Sequence, residues 1–278
     1  MNDWVIANLE SALTSWNARL QEIWTLLTMS PEQFRGGTIW NVIVRIYGTV
    51  QSVALGLLVL FFVAGLLQTA CRYTELRRPE AVGRLFLRFL LAKGLVCRGM
   101  EILRKILSVC LGLINSLMEA SGIAQPAAQV LPESIAESIR ECGFWESVPL
   151  WTVSLVAIVG ITVLSLILIL TVYGRFFKIY LYAALAPLPL ASFAGEPTQF
   201  LGVAFLKSFF GVCLEGAVIV LACVLFSAFA ASPTQVDAAA SAVTQVWSYA
   251  AQIGFSMLLL IGTVRAADQV TRSLFGLL

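Results

Sequence analysis

The chain has 278 residues, of which 59% are hydrophobic and 12% are charged, and its mean hydropathy is +0.88. Soluble domains carry roughly 25% charged residues, so this composition indicates a membrane protein. The net charge of +2 argues against a basic nucleic-acid-binding domain, and the absence of histidine removes the usual general base and the commonest metal ligand. Three charge-free stretches, residues 46–71, 148–174 and 238–264, each exceed the ~20 residues that cross a bilayer. They predict an all-α, polytopic membrane helix bundle.

The sequence contains no constellation typical of an enzyme or a cofactor site. It has no HExxH pattern, no phosphate-binding loop and no histidine to pair with serine or cysteine. The six cysteines show no CxxC spacing, and most lie in apolar stretches, so we expect free thiols rather than a disulfide framework. We therefore predict a protein that is not an enzyme and that holds no metal or cofactor.

Residues 3–28 are predicted to form an amphipathic helix, because large apolar residues recur at spacings of three and four. Its apolar face includes the tryptophans Trp4, Trp16 and Trp24. Tryptophan suits the headgroup region of a membrane, so one interpretation is an external helix that lies in the interface. The other is a helix that packs against neighbouring spans or subunits, and the sequence leaves both open. The predicted domains are an external part, residues 1–38, and a transmembrane part, residues 39–278.

Five spans are predicted in the transmembrane part. They lie at about residues 42–68, 85–118, 148–174, 205–230 and 243–264. The loop after the first span carries a cluster of arginines, and cytoplasmic loops are enriched in such cations. The members of the cluster are Arg72, Arg77, Arg78 and Arg84. The loop at 119–147 has five glutamates and one arginine, so it is predicted to be external, as is the loop at 233–237. This topology puts the N-terminus outside and the C-terminus in the cytoplasm.

The second predicted span is unusual because it contains six charged residues. They are Arg88, Lys93, Arg98, Glu101, Arg104 and Lys105. Charges at this depth are costly and normally face a bundle interior, a partner or water. Arg84, Arg88, Arg98 and Lys105 share about a third of the helix circumference, and Glu101 is close enough along the helix to pair with Arg98 or Lys105. Either this stripe lines an aqueous route or grips another subunit, or the helix is tilted so that its cations reach the headgroups.

The stretch from residue 175 to residue 196 is predicted to interrupt the helical pattern. Its proline pair removes backbone donors from an otherwise helical run, and the cations around it are placed like inner-surface anchors. The anchors and the break are Arg175, Lys178, Pro187, Pro189 and Lys207. Irregular backbone at membrane depth persists only against protein or water. We therefore expect a re-entrant or interfacial segment at the cytoplasmic face, which helps to form a passage or a docking surface.

Glu215 is an isolated carboxylate about two turns inside the fourth predicted span. At this depth we expect it to have a partner, a bound proton or contact with water. Its candidate partners are Lys207, eight residues earlier, and the cations of the second span. It is either part of a pore or proton relay, or a structural ion pair. The sequence analysis finds no second acid within the later spans and no internal repeat, and both weaken a transporter interpretation.

Two stretches of the sequence carry a resemblance to a known family. One is the opening WVIANLESALTSWNARLQEIW with the turn SPEQFRGGTIW, and the other is the run that begins VYGRFFKIYLYAALAPLPLASFAGE and ends FLKSFFGVCLEGAVIVLACVLF. The chain resembles the TrbL-type polytopic subunits of conjugative type IV secretion systems, in the versions carried by conjugative elements of Gram-positive bacteria. The likeness covers most of the chain and is most specific from Arg175 to Glu215. The second span carries more cations than the family leads us to expect.

The resemblance implies a channel or scaffold component in the plasma membrane, with about five spans. It also implies partners: further copies of the chain, other membrane subunits, coupling ATPases, membrane lipid, and single-stranded DNA with its relaxase in transit. Cations of the second span would attract the DNA phosphates. The candidate conduit or intersubunit charges are Arg88, Arg98, Glu101, Lys105 and Glu215. Two alternatives stay open, a secondary transporter with Glu215 as its coupling carboxylate and a structural anchor of an assembly.

Overall fold

The computed structural model describes residues 2–71, 79–122, 128–140, 144–230 and 242–276. Nearly all of these residues are helical and none of them forms a strand, which confirms the predicted all-α polytopic fold. The helices are α1 Asn2–Thr28, α2 Thr38–Cys71, α3 Pro79–Cys97, α4 Gly99–Ser121, α5 Glu133–Arg140, α6 Phe144–Leu185, α7 Pro187–Ala191, α8 Gln199–Ala230 and α9 Ala242–Leu274. Single 3-10 turns at Phe34–Gly37 and Ser192–Ala194 precede α2 and follow α7.

Four helical segments among the described residues are long and apolar enough to cross a bilayer. They are Phe34–Gln68, Pro149–Leu185, Gln199–Phe229 and Val243–Leu274. They correspond to the first, third, fourth and fifth predicted spans, and the chain is a multi-pass membrane protein. The segment in α8 is the most enclosed of the four, since 67% of its most apolar window is buried.

The predicted second span, residues 85–118, differs from this expectation. It consists of two helices, α3 and α4, which meet at Arg98, and neither is among the four span-like segments. The charges between Arg88 and Lys105 are the cause, because they lower the hydropathy of the helices that carry them. The described residues therefore contain four span-like segments, where the sequence predicted five spans.

The third predicted span continues further than expected. The sequence suggested that it ends before the cations Arg175 and Lys178, but α6 runs without interruption to Leu185. Both cations therefore lie inside a helix. The break falls where the prolines predicted it, because Ala186 separates α6 from α7 and Pro187 opens α7. Proline is tolerated at the start of a helix, where its missing N–H would have no intrahelical partner.

Parts of the predicted loops lie outside the described residues. The arginines Arg72, Arg77 and Arg78 and the predicted external loop at 233–237 lie wholly outside them. Of the acidic loop at 119–147, residues 123–127 and 141–143 lie outside as well. The described remainder of that loop contains α5, which the sequence analysis did not predict.

The chain divides into two compact units, and the first consists of Met1–Thr28, Ile114–Gly174 and Ala217–Ala267. In this unit α1 buries its apolar face, and Trp16 on that face is 0% exposed. Trp4, near the start of α1, is 46% exposed and stacks on Trp151 with 6.1 Å between ring centroids. The apolar face of α1 is thus occupied by this chain. The structure favours the packing interpretation of this helix over one in which that face enters lipid.

The acidic segment of the first unit packs on α1 as well. Asn17 donates a hydrogen bond from Nδ2 to the carbonyl oxygen of Gln129 at 2.8 Å and accepts one from the N–H of Gln129 at 2.9 Å. Ile135 and Ile139 of α5 are buried, and their spacing of four residues places them on one face of the helix. The apolar face of α5 explains why a helix forms within a stretch that reads as an acidic loop.

The second unit consists of Met29–Leu113, Arg175–Gly216 and Asp268–Leu278. In this unit α2 packs beside α3, and α7 packs against both helices. The 3-10 turn before α2 contains Arg35, whose φ of 49° is in the left-handed region. Phe34 of this turn is buried and stacks on Phe176 with 4.5 Å between ring centroids. The turn is thereby fixed to the part of α6 that belongs to this unit.

The junction between α3 and α4 is stabilised by polar side chains of α2. The hydroxyl of Tyr47 donates a hydrogen bond to the carbonyl oxygen of Val96 at 3.0 Å, and Nε2 of Gln51 donates to the same oxygen at 3.2 Å. Gly99 follows the junction, and a methyl group there would overlap the Tyr47 hydroxyl and Leu190 of α7. The junction is therefore a specific feature of the fold, since carbonyl groups near a helix end need such partners.

Candidate functional site

Four charged residues connect three helices of the second unit. The Nζ atom of Lys178 in α6 lies 3.3 Å from both carboxylate oxygens of Glu215 in α8 and 3.0 Å from Oδ1 of Asp268 in α9. The other oxygen of Asp268 accepts a hydrogen bond from Nε of Arg272 at 3.0 Å. Lys178 thus bridges two carboxylates. We refer to Lys178, Glu215, Asp268 and Arg272 as the ion network.

The ion network runs from a buried end to an exposed end. The side chain of Glu215 is 2% exposed, whereas those of Lys178 and Arg272 are 38% and 52% exposed. Asp268 and Arg272 are four residues apart, so they share one face of α9. A buried carboxylate is costly unless it is paired and hydrogen-bonded. The network supplies this compensation to Glu215, and it fixes these parts of α6, α8 and α9 to one another.

Arg175 lies one turn before Lys178 on α6 and is buried, at 3% exposure. Its Nη2 donates a hydrogen bond to the carbonyl oxygen of Cys213 at 3.2 Å. Gly216 provides the space for the guanidinium, because a methyl group at that position would overlap it. Its Nε has no hydrogen-bond partner among the described residues. Arg175 is therefore held by packing and by a carbonyl oxygen, and no direct ion pair joins it to Glu215 in the described part of the chain.

The partner of Glu215 differs from both predicted candidates. Lys207 lies two turns before Glu215, about 12 Å along the axis of α8, and its side chain is exposed beside Phe200. The cations of the predicted second span do not pair with Glu215 either, since Lys178 does. Lys178 was overlooked because it was placed outside the helix as an anchor.

Asp268 is a member of the network that the sequence analysis missed. The fifth span was predicted to end at residue 264, but α9 continues to Leu274, so Asp268 lies on the same helix as that span. The structure therefore gives Glu215 a second carboxylate as a neighbour, which shares Lys178 with it. The spacing of four between Asp268 and Arg272 is the signal that could have extended the helix, because such pairs stabilise helices.

A small cavity with a mixed polar and apolar lining borders the ion network. It has a volume of about 90 Å³, and its lining residues are Tyr182, Ser208, Gly211, Val212, Asp268, Thr271 and Arg272. One water needs about 10–15 Å³ of such volume, so the cavity is large enough for water. It reaches the network at Asp268 and Arg272. No group of three acidic or cysteine side chains in the described residues is placed to hold a metal ion.

Two cations of the predicted second span have partners within the second unit. Arg88 donates a hydrogen bond to Gln199 and lies 3.8 Å from a carboxylate oxygen of Glu196. Arg104 lies 3.5 Å from a carboxylate oxygen of Glu32, and its guanidinium carbon is 5.8 Å from the centre of the Trp40 ring. These two cations therefore tie α3 and α4 to other parts of the unit.

Arg98, Glu101 and Lys105 of the stripe are exposed on the surface of α3 and α4. Within the described part of the chain no ion pair joins Glu101 to Arg98 or to Lys105, so the predicted pairing does not form. Arg98 lies two residues after Val96, which accepts a hydrogen bond from Tyr47 of α2, and Arg104 contacts Glu32, which precedes α2. These charges thus lie beside the N-terminal part of α2, near the beginning of its charge-free stretch at residues 46–71.

The proline pair forms a short helix that packs against protein. Pro187 is buried, and the N–H of Leu190 bonds to the carbonyl oxygen of Ala186 at 3.2 Å across the break. Leu190 is 1% exposed and lies next to Gly99. At Gly195 the chain is extended, and a methyl group there would overlap the backbone of Phe61. The interrupted backbone is therefore covered by α2 and α3. Its re-entrant or interfacial position in the membrane stays a prediction.

Comparison with known proteins identifies the family. A family model described as TrbL/VirB6 plasmid conjugal transfer like protein matches residues 16–187, which confirms the resemblance seen in the sequence. The match includes Arg98, Lys105 and Lys178 but ends before Glu215 and Asp268. No curated protein and no solved structure matches the chain. Because the matched residues make up more than half of the chain, the protein belongs to the TrbL/VirB6 family of plasmid conjugal transfer-like proteins.

Proposed function

We propose that the chain is a channel or scaffold component in the plasma membrane, which helps single-stranded DNA with its bound relaxase to cross the bilayer during conjugation. The observation that carries this proposal is the family match over residues 16–187 in a chain with four span-like helices. The family makes the chain a membrane component of a conjugal transfer system. The passage of DNA and relaxase past this chain is the proposed step.

The proposed route lies between several copies of the chain, or between this chain and other membrane subunits. The first unit has an apolar cavity of about 100 Å³ lined by residues of α1, α6 and α9, and the second unit has the cavity of about 90 Å³ beside the ion network. Neither cavity is large enough to pass a nucleic-acid strand. An oligomer is therefore part of the proposal, with coupling ATPases as the source of energy.

The ion network supports the scaffold aspect of the proposal. Lys178 compensates both Glu215 and Asp268, so the three helices that carry these residues are fixed to one another in the second unit. A component that holds other subunits around a route needs such a rigid part. We propose that Glu215 acts as a structural clamp. A conduit role for Arg98 and Lys105 stays a prediction.

Photo-crosslinking in donor cells during transfer tests the proposal. A crosslinking amino acid would be placed at single exposed positions, such as Val53, Leu91 and Lys105. The donor strain would lack any other copy of the gene, so that transfer depends on the variant chain. We expect DNA crosslinks at a restricted set of positions and loss of transfer when the chain is deleted. Crosslinks to protein but never to DNA would reject the channel aspect and leave the scaffold. Unchanged transfer without the chain would reject both.

A second candidate function is secondary transport, and Asp268 is the observation that favours it. With Glu215 it gives the second unit two carboxylates, and it borders a cavity large enough for water. Both carboxylates already share Lys178, which favours a structural role. Purified protein in liposomes would decide between them. Solute uptake that depends on a proton gradient and disappears in Glu215→Gln would establish the transporter.

A further inference from the structure

We infer that the junction of α3 and α4 carries a binding site for an anionic phospholipid of the phosphatidylglycerol type. The site is a groove of about 590 Å³ on the surface of the second unit, which we call the junction groove. Its lining residues are Leu90, Leu91, Gly94, Leu95, Arg98, Glu101, Ile102 and Lys105. Small-molecule sites have volumes of roughly 300–1,000 Å³, so the groove can hold a headgroup and the first part of its chains.

The junction groove has a charged end and an apolar end. Arg98, Glu101 and Lys105 form the charged end, within about 10 Å along the helix axis. Leu90 and Leu91 form the apolar end, and they are 48% and 61% exposed. A phospholipid has the same order of groups, with a charged headgroup followed by acyl chains. A bound phospholipid would thus cover the exposed leucines with its acyl chains and pair the charged side chains with its headgroup.

The position of the groove beside α2 agrees with this orientation. The charged end begins beside Tyr47, which contacts Val96 and Gly99 on either side of Arg98, and Arg104, next to Lys105, contacts Glu32 just before α2. It therefore lies beside the N-terminal part of α2. The apolar end lies beside the charge-free part of α2, because Phe89 of α3 packs on Phe62 with 4.7 Å between ring centroids. The headgroup would therefore lie at a polar boundary and its chains beside a lipid-facing surface.

The headgroup chemistry follows from the three charged side chains. Arg98 and Lys105 have no ion-pair partner in the described part of the chain, so their N–H groups are free to bind a phosphate. Glu101 lies between them and can accept a hydrogen bond from a glycerol hydroxyl. Two cations and one carboxylate leave the charged end with a net positive charge, which favours a headgroup of net negative charge over the zwitterionic choline headgroup. The arrangement therefore favours phosphatidylglycerol over phosphatidylcholine.

Two other occupants fit the groove less well. A DNA strand could bind Arg98 and Lys105 through its phosphates. The charged sugar-phosphate backbone of the DNA would then lie against the apolar side chains of Leu90 and Leu91, which is unfavourable. A second copy of this chain that presented the same groove would bring its two cations towards Arg98 and Lys105. Glu101 of each copy would be the only acid to offset them, because no other acid among the described residues lines the groove. Both occupants are outcomes of the test below.

Native mass spectrometry of the purified full-length protein in detergent tests the inference. Phosphatidylglycerol and phosphatidylcholine with identical acyl chains are titrated separately, and the affinity of the first bound lipid is compared. We expect tighter binding of phosphatidylglycerol and a loss of roughly 30-fold in Arg98→Gln/Lys105→Gln, because each cation near an anionic headgroup contributes about 1 kcal/mol and about 1.4 kcal/mol corresponds to a factor of ten. Inorganic phosphate at the same concentrations should not compete, because it lacks the acyl chains.

The matched control is Arg84→Gln/Lys93→Gln, which removes the same charge from exposed positions of α3 outside the groove. It should keep the wild-type affinity for phosphatidylglycerol. Arg98→Lys/Lys105→Arg keeps both charges and should keep binding, which separates a lost site from a misfolded variant. Equal binding of the two lipids, or equal losses in the two glutamine variants, would overturn the inference. So would crosslinks from Arg98 or Lys105 to DNA or to a second copy.

Discussion

The Nζ atom of Lys178 lies 3.3 Å from both carboxylate oxygens of Glu215, although the two residues belong to different helices. Glu215 is almost fully buried, whereas Lys178 is partly exposed and also contacts Asp268. The buried residue therefore depends on a more exposed one for its compensation. Removal of Lys178 would leave an unpaired carboxylate in the interior, where no water replaces the lost partner. Removal of Glu215 would leave a lysine that is partly exposed to solvent.

Lys178→Met is expected to lower the free energy of unfolding of the second unit by about 2–4 kcal/mol. Removal of one partner of a buried pair costs roughly 3–5 kcal/mol, and the partial exposure of Lys178 reduces this value. Thermal unfolding of the purified protein in detergent measures the effect. Lys207→Met is the matched control, because Lys207 is an exposed cation of α8. Equal destabilisation by the two substitutions would show that the ion network does not stabilise the fold.

Gly216→Ala is expected to destabilise the protein, because the added methyl group would overlap the guanidinium of Arg175. Overpacking of this kind costs roughly 1–3 kcal/mol. Gly112→Ala in α4 is the control, since no atom lies within 4 Å of a methyl group built there. That change should be neutral or stabilising by up to about 1 kcal/mol, because alanine favours helices. The unfolding temperature should therefore fall in Gly216→Ala and stay unchanged or rise in Gly112→Ala. A stable Gly216→Ala variant would contradict the packing of Arg175.

The sequence predicts the features of this fold that depend on local composition. Three charge-free stretches and the apolar run at residues 205–230 predict the four span-like segments, and Pro187 predicts the end of α6. The junction of α3 and α4 was not predictable, because it depends on Tyr47 and Gln51, which lie about 45 residues earlier in the chain. The pairing of Glu215 with Lys178 was missed for the same reason. Hydropathy indicates that a helix is apolar, but it does not indicate which other helix packs beside it.

Trp16→Ala should destabilise the first unit far more than Trp4→Ala. Trp16 is fully buried, and truncation of a buried tryptophan costs roughly 3–5 kcal/mol. Trp4 is half exposed and loses mainly its stacking on Trp151, which is worth about 0.5–1.5 kcal/mol. Unfolding temperatures of the two variants measure the difference. Equal stabilities, together with an equal loss of lipid binding, would instead support an α1 that lies in the headgroup interface.

Tyr47 and Gly99 should behave as an energetically coupled pair. Tyr47→Phe removes the hydrogen bond to Val96 and should cost about 1 kcal/mol, since Gln51 still bonds the same oxygen. Gly99→Ala should cost about 1–3 kcal/mol, because its methyl group would overlap the Tyr47 hydroxyl. Loss of the hydroxyl makes room for that methyl group.

The double variant should therefore be less destabilised than the sum of the two single changes, by about 0.5 kcal/mol or more. The relief is partial, because the methyl group would still meet Leu190 of α7. Chemical or thermal unfolding of the four proteins gives this coupling free energy directly. Strict additivity would mean that the α3–α4 junction relaxes independently of α2, and that its bend comes from the charges on those helices instead.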